Sequence, residues 1–224
     1  MKLKLLLILL FSVFVTTEQK ANLPDGFVYV QELAPDIQVE LRYYSSHNFV
    51  GDTIAGYKSN KLILTEAAAQ ALAQANDELL LQNKCFLVYD GYRPQRAVNQ
   101  FIEWARDLND TIKKAEFYPY VDKKDLFKEE YIATRSGHSK GSTVDLTIID
   151  GETNEPLDMG SPFDFFAVQS WVDYDAISEE QKANRQLLQN VMLKYGFRNY
   201  PREWWHFTLR NEPFPTTYFD FEVE

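Results

Sequence analysis

Two of the three histidines in this chain lie in short stretches whose residue types could build one metal site. The first stretch is Ser136-Gly137-His138-Ser139-Lys140-Gly141-Ser142-Thr143-Val144-Asp145, and the second is Glu203-Trp204-Trp205-His206. Together they offer two imidazoles, a carboxylate and a spare glutamate. Three nitrogen and oxygen donors with a fourth position left open make up the donor set of a catalytic zinc site. A carboxylate beside a ligand is what a zinc hydrolase uses as general base. The residues therefore read as a metallohydrolase site.

Each element alone has a bland reading. His138 in a loop of small polar residues could be a surface side chain. Asp145, between Val144 and Leu146, could cap a turn or pair with an arginine. It is nevertheless costly at a sheet interior unless paired or metal-bound. An isolated Glu-x-x-His is a weak pattern. If His206 lies on a strand, period-two alternation puts Glu203 on the opposite face. Both can then reach one metal only if Glu203 sits on an irregular lead-in, which Pro201 favours. Arg93, in the turn Asp90-Gly91-Tyr92-Arg93-Pro94 after an apolar run, could aim its fork at a carboxylate or a developing oxyanion. Its bland reading is a surface salt bridge.

The elements that must position these residues are legible from pattern. Residues 65–81 are rich in Ala, Leu, Gln and Glu and read as a helix with Thr65 as N-cap. Cys85–Tyr89 reads as a buried strand, and 95–108 as a helix carrying Val98, Phe101, Ile102 and Ala105 at helical spacing. Residues 143–149 read as a strand. Ser178-Glu179-Glu180-Gln181 is a capping box opening a helix that puts Leu187, Leu188, Val191, Met192 and Tyr195 on one stripe, with Gly196 as its stop. Residues 205–209 read as the last core strand. Helices and strands do not alternate regularly. The expectation is an α+β fold: a single domain with an antiparallel or mixed sheet, helices flanking it and the zinc site on the sheet.

Composition narrows the class. With 224 residues, 45% of them hydrophobic and 15% aromatic, the chain can bury a sizeable core. A formal net charge of -10 argues against nucleic acid or anionic membrane as partner. Cys85 is the only cysteine, so no intrachain disulfide can form, and it is expected to be a small core residue. Met1-Lys2-Leu3-Lys4 is basic, and an apolar run follows to Val15 that is short for a membrane span. Residues 1–21 are therefore expected to be a secretory signal peptide and 22–224 the functional domain. No cysteine follows the run to take a lipid anchor, so the mature protein is expected to be exported, periplasmic or secreted, without a stable membrane anchor.

Taken together, these motifs are specific. The pattern Ser136-x-His138-x-x-Gly141-x-x-x-Asp145, followed by Glu203-x-Trp205-His206, resembles the zinc D-alanyl-D-alanine dipeptidase family, within a wider group of D,D-peptidases and phage endolysins. The Asp90–Pro94 turn, Met159-Gly160-Ser161-Pro162-Phe163-Asp164, Tyr218-Phe219-Asp220-Phe221, and Arg42-Tyr43 with Asn48-Phe49-Val50-Gly51 are similar to it as well. One departure is Thr143, where the wider group usually has alanine.

The resemblance implies one zinc per chain, held by His138, Asp145 and His206. Glu203 would take the proton of the attacking water and pass it to the leaving amine. Arg93 would stabilise charge on the scissile carbonyl. Tyr43 and Asp164 would meet the free ammonium of the dipeptide, and Ser136 would lie near one of its termini. The implied reaction is hydrolysis of D-Ala-D-Ala to two D-alanines in cell-wall turnover or scavenging. Two alternatives stay open. One is a D,D-carboxypeptidase or endopeptidase acting on peptidoglycan stems, to which an ammonium-binding Asp164 would be useless. The other is a non-catalytic zinc-containing wall-binding domain, against which Glu203 argues.

Overall fold

The computed structural model describes residues 23–224. The expected signal peptide over 1–21 lies outside the described residues. Among the described residues seven strands form: β1 (Phe27–Tyr29), β2 (Gln38–Val39), β3 (Ile63–Thr65), β4 (Lys84–Asp90), β5 (Thr143–Asp150), β6 (Phe197–Tyr200) and β7 (Glu203–Leu209). Four α-helices accompany them: α1 (Glu66–Leu80), α2 (Gln95–Arg106), the short α3 (Lys114–Phe117) and α4 (Glu179–Lys194). The main sheet runs β2-β4-β5-β7-β6; β2 joins β4 in parallel and the other pairs are antiparallel, so the sheet is mixed. A small antiparallel ribbon of β1 and β3 lies apart from it. Among the described residues no helix is long and apolar enough to cross a membrane.

Local chemistry explains the helix ends. The Thr65 side chain accepts from the Ala68 N–H and starts α1, which buries Ala68, Ala69, Leu72, Ala75 and Leu79 on one face. Ser178 and Gln181 form the reciprocal capping box of α4, and Gly196, at φ +90°, follows its end. Helix α2 stops at Arg106, short of the expected 108, because Asp107 turns extended. Helix α1 packs on β4, α4 packs on β6 and β7, and the two helices touch. Cys85 departs from expectation: it is half-buried near the start of β4, with Gln38 Nε2 at 4.0 Å from its sulfur. It sits next to the edge strand β2, which is too short to cover it.

Two irregularities set the geometry of the sheet centre. Between β4 and β5 the register jumps from Val88↔Leu146 to Asp90↔Asp145, so Tyr89 is the extra residue of a bulge. The bulge places two carboxylate residues opposite each other. In the β6–β7 hairpin the register jumps from Asn199↔Phe207 to Tyr200↔Glu203. The irregularity therefore falls after Glu203, inside β7, and not before the strand as expected from Pro201. It suspends the alternation that would have sent Glu203 and His206 to opposite faces.

The chain's C-terminal segment straps the site loops in place. The Tyr92 ring stacks on Phe221 at 3.9 Å, and the Tyr92 hydroxyl donates to the Phe221 carbonyl. The Gln95 N–H donates to Phe219 O, and the Phe219 N–H donates to Ser139 O. One tail thus ties the Arg93 turn to the His138 loop.

Candidate metal centre and active site

His138 sits in a 3-10 turn (Gly137–Lys140) that the Ser136 side chain caps by accepting from the His138 N–H. Its ring is buried, and Nδ1 lies 2.8 Å from the Gly91 carbonyl. A carbonyl can only accept, so Nδ1 donates to it, which leaves Nε2 as the nitrogen a metal would use. Gly91 allows this approach: a Cβ there would come within 2.4 Å of Leu62 Cδ1 and 3.0 Å of Ile63 O. Asp145, in mid-sheet, pairs in register with His206 of the neighbouring strand.

Donor atoms of three residues converge, one from each lying within 4.8 Å of the others. His138 Nε2 is 3.2 Å from Asp145 Oδ2, His206 Nδ1 is 3.0 Å from Asp145 Oδ1, and the two ring nitrogens are 3.3 Å apart. A tetrahedral centre with bonds of about 2.0–2.1 Å has edges of roughly 3.3–3.4 Å. The 3.3 Å between the two ring nitrogens matches such an edge, and Asp145 presents an oxygen to each of them. The buried Asp145 Oδ1 has no hydrogen-bond partner, because the nearby His206 nitrogen is not aligned for one. An orphaned buried carboxylate oxygen is what a metal would satisfy.

Electrostatics agree. Burial alone would lower the pKa of His206, yet Asp145 and Glu203 outweigh it and raise it to about 10. Burial likewise opposes ionisation of Asp145, but the two imidazoles overcome it and hold the carboxyl below its usual range. The cluster calls for positive charge, which a divalent cation supplies with release of the proton.

Around this triad stand the other residues singled out in the sequence. Glu203 Oε2 is 3.3 Å from His206 Nδ1. Arg93 donates from Nε to Asp90 Oδ2 at 2.8 Å, and a terminal nitrogen lies 3.6 Å from Asp145 Oδ2. Its guanidinium rests over the rings of Tyr43 and Phe101, at 4.9 and 5.4 Å. The Tyr43 hydroxyl donates to Asp164 Oδ2 at 2.8 Å. Asp164 is only 6% exposed and adopts a left-handed φ of +57°, which aspartate tolerates better than most residues. Burial, then the negative charge of Asp145, pushes its pKa well above the ordinary range. Tyr43, Arg93, Ser136, His138, Asp145, Asp164, Glu203 and His206 all line one cavity of about 290 Å³. Phe49, Val98, Phe101 and Phe166 supply its apolar walls.

Two participants were not singled out in the sequence. Asp90 is fully buried and takes hydrogen bonds from Tyr57 at 2.6 Å and Arg93 at 2.8 Å, with His138 Nδ1 at 3.5 Å. A signal for it existed: it is an acid ending an apolar strand, the same anomaly that marks Asp145. Tyr57 carries no local signal. Thr143, the departure from the wider pattern, has its hydroxyl satisfied by Thr208 across the β5–β7 pair at 2.9 Å. Gly137 makes room for it, since a Cβ there would lie 3.0 Å from Thr143 Oγ1.

A mixed sheet carrying a His-Asp-His triad, with a glutamate against one ligand and an arginine against another, defines a zinc metallopeptidase. Comparison with known proteins gives the family. The D-ala-D-ala dipeptidase family model matches residues 24–224, and the chain belongs to that family. A D-alanyl-D-alanine dipeptidase of Enterococcus faecium is 37% identical over 89% of this chain and 98% of its own length. One of Streptomyces coelicolor is 39% identical over 88% and 98%. One of Escherichia coli is 30% identical over 78% and 80%.

Proposed function

We propose that this protein hydrolyses the dipeptide D-Ala-D-Ala to two D-alanines, with His138, Asp145 and His206 holding its zinc. The relatives' shared activity supports the substrate. The observation that carries the reading is the charge layout of one cavity. The same cavity is lined by the His-Asp-His triad with Glu203 beside His206, and by Asp164, a buried carboxyl group with no ion-pair partner.

When bound, zinc supplies Lewis acidity, polarising a carbonyl and bringing the pKa of water to about 7. Glu203, beside His206, accepts the proton of the attacking water and returns it to the leaving amine. Arg93 remains charged and is locked by Asp90, so its terminal nitrogens stabilise negative charge growing on the carbonyl oxygen without reorganising. Asp164 and Tyr43 bind the substrate ammonium. A buried carboxylate left unpaired is unfavourable, so substrates lacking that amine are rejected. Ser136 holds the His138 turn and lines the cavity near a substrate terminus.

The basic-then-apolar start of the chain supports export and a role in peptidoglycan turnover or scavenging outside the cytoplasm. Cell fractionation tests the location: a cytoplasmic protein retaining Met1 contradicts it. A ninhydrin assay on the zinc-loaded enzyme tests the activity, comparing D-Ala-D-Ala, L-Ala-L-Ala and a pentapeptide ending in D-Ala-D-Ala. The first should be turned over and the other two poorly. Preference for the pentapeptide identifies a carboxypeptidase instead.

A further inference from the structure

Counting charges around the cavity leaves two unmatched. The anions are Glu130, Asp145, Asp164 and Glu203; the cations, apart from the histidines, are Arg93 and Arg135. Asp145 lies against His138 and His206, Glu203 against His206, and Glu130 against Arg202 at 3.2 Å. Arg93 is taken by Asp90 and Asp145. Asp164 has only the Tyr43 hydroxyl, and Arg135 has no carboxylate partner among the described residues. Its guanidinium rests instead on the Tyr218 ring of the C-terminal strap, 5.1 Å from the centroid. A cavity lined by a buried carboxyl group with no cation paired to it and a guanidinium with no carboxylate paired to it is the complement of a small zwitterion.

We propose that Arg135 binds the C-terminal carboxylate of the dipeptide and is the residue that makes the free acid the preferred substrate. The inference rests on the dipeptidase reading above and deepens it. Asp164 is buried while Arg135 is exposed. The dipeptide therefore lies amine-inward and carboxylate-outward, with the scissile bond at the metal triad between them. Contact with the Tyr218 ring restrains the guanidinium, whose planar fork suits bidentate carboxylate binding. Because the clamp is exposed, its contribution is screened by salt.

The test compares D-Ala-D-Ala with D-alanyl-D-alaninamide, for the wild-type zinc enzyme, Arg135→Gln and Arg135→Lys, at low and high ionic strength. Arg135→Gln should lower kcat/KM for the acid on the order of 10-fold, mostly through KM, and leave the amide within about 2-fold. Arg135→Lys should recover much of the acid activity. The wild-type preference for the acid should shrink with added salt, and that salt dependence should be absent in Arg135→Gln. Equal losses on acid and amide, or no loss on the acid, overturn the clamp while leaving the dipeptidase reading standing. A wild-type enzyme that does not cleave D-Ala-D-Ala at all overturns that reading and the clamp with it.

Discussion

Asp90 and Asp145 stand opposite each other on β4 and β5, and Arg93 lies between their carboxylates, 2.8 Å from one and 3.6 Å from the other. In the proposed zinc site Asp145 is a ligand, so Asp90 is left to hold the arginine. Asp90→Asn keeps the shape but loses the charge. It should lower kcat by roughly 10- to 100-fold with little change in KM, and retain zinc. Steady-state kinetics with zinc analysis checks this; an unchanged kcat would show that Arg93 needs no such anchor.

The proposed zinc site has three protein ligands and no redundancy. The pure protein should carry one zinc per chain, and alanine at His138, Asp145 or His206 should strip it. The loss should also lower Tm, because the metal stabilises the folded state by mass action. Full zinc retention in all three variants would remove the site.

Glu203 is read as a base and not a ligand. Glu203→Ala should keep zinc and lose about 10²- to 10⁴-fold in turnover. Zinc and activity disappearing together would make it a ligand.

Asp164 makes stability depend on pH. Burial, first of all, raises its folded pKa, whereas an unfolded aspartate titrates near about 3.9. Between those values the native state holds more protons than the unfolded state, so stability falls as pH rises through that window. Asp164→Asn has no such loss. At equal zinc loading its Tm should match the wild type near pH 4 and exceed it by about 2–4 °C or more at pH 8. Activity should drop at the same time. Scanning calorimetry across pH checks this, and a variant less stable at pH 8 would contradict the sign.

Much of this site is legible in sequence because its residues are chemically out of place. Asp145 interrupts an apolar strand, and His138 lies in a loop of small residues that lets a metal close by. Asp90 is equally anomalous, but the turn that follows it suggests a solvated acid. The partnership of Glu203 with His206 defied alternation, since the bulge inside β7 leaves no mark in a run of two tryptophans. Strands β1, β2 and β3 have two or three residues each, too few for period two to show. Tyr57 reaches Asp90 across the fold, and no local pattern encodes that contact. Helices α1 and α4 were clear because both their caps and their stripes are local.

The most direct measurement is the ratio of kcat/KM for D-Ala-D-Ala to that for N-acetyl-D-Ala-D-Ala, in wild type and in Asp164→Ala. Acetylation removes the ammonium and adds bulk at the buried end of the cavity. Leaving Asp164 without a counter-charge costs on the order of 3–5 kcal/mol. The wild type should therefore discriminate by several hundred-fold or more, about 1.4 kcal/mol per tenfold. Asp164→Ala should narrow the gap, mainly by harming the free dipeptide. Comparable values for the two substrates in the wild type would contradict the dipeptidase account, even with the zinc site intact.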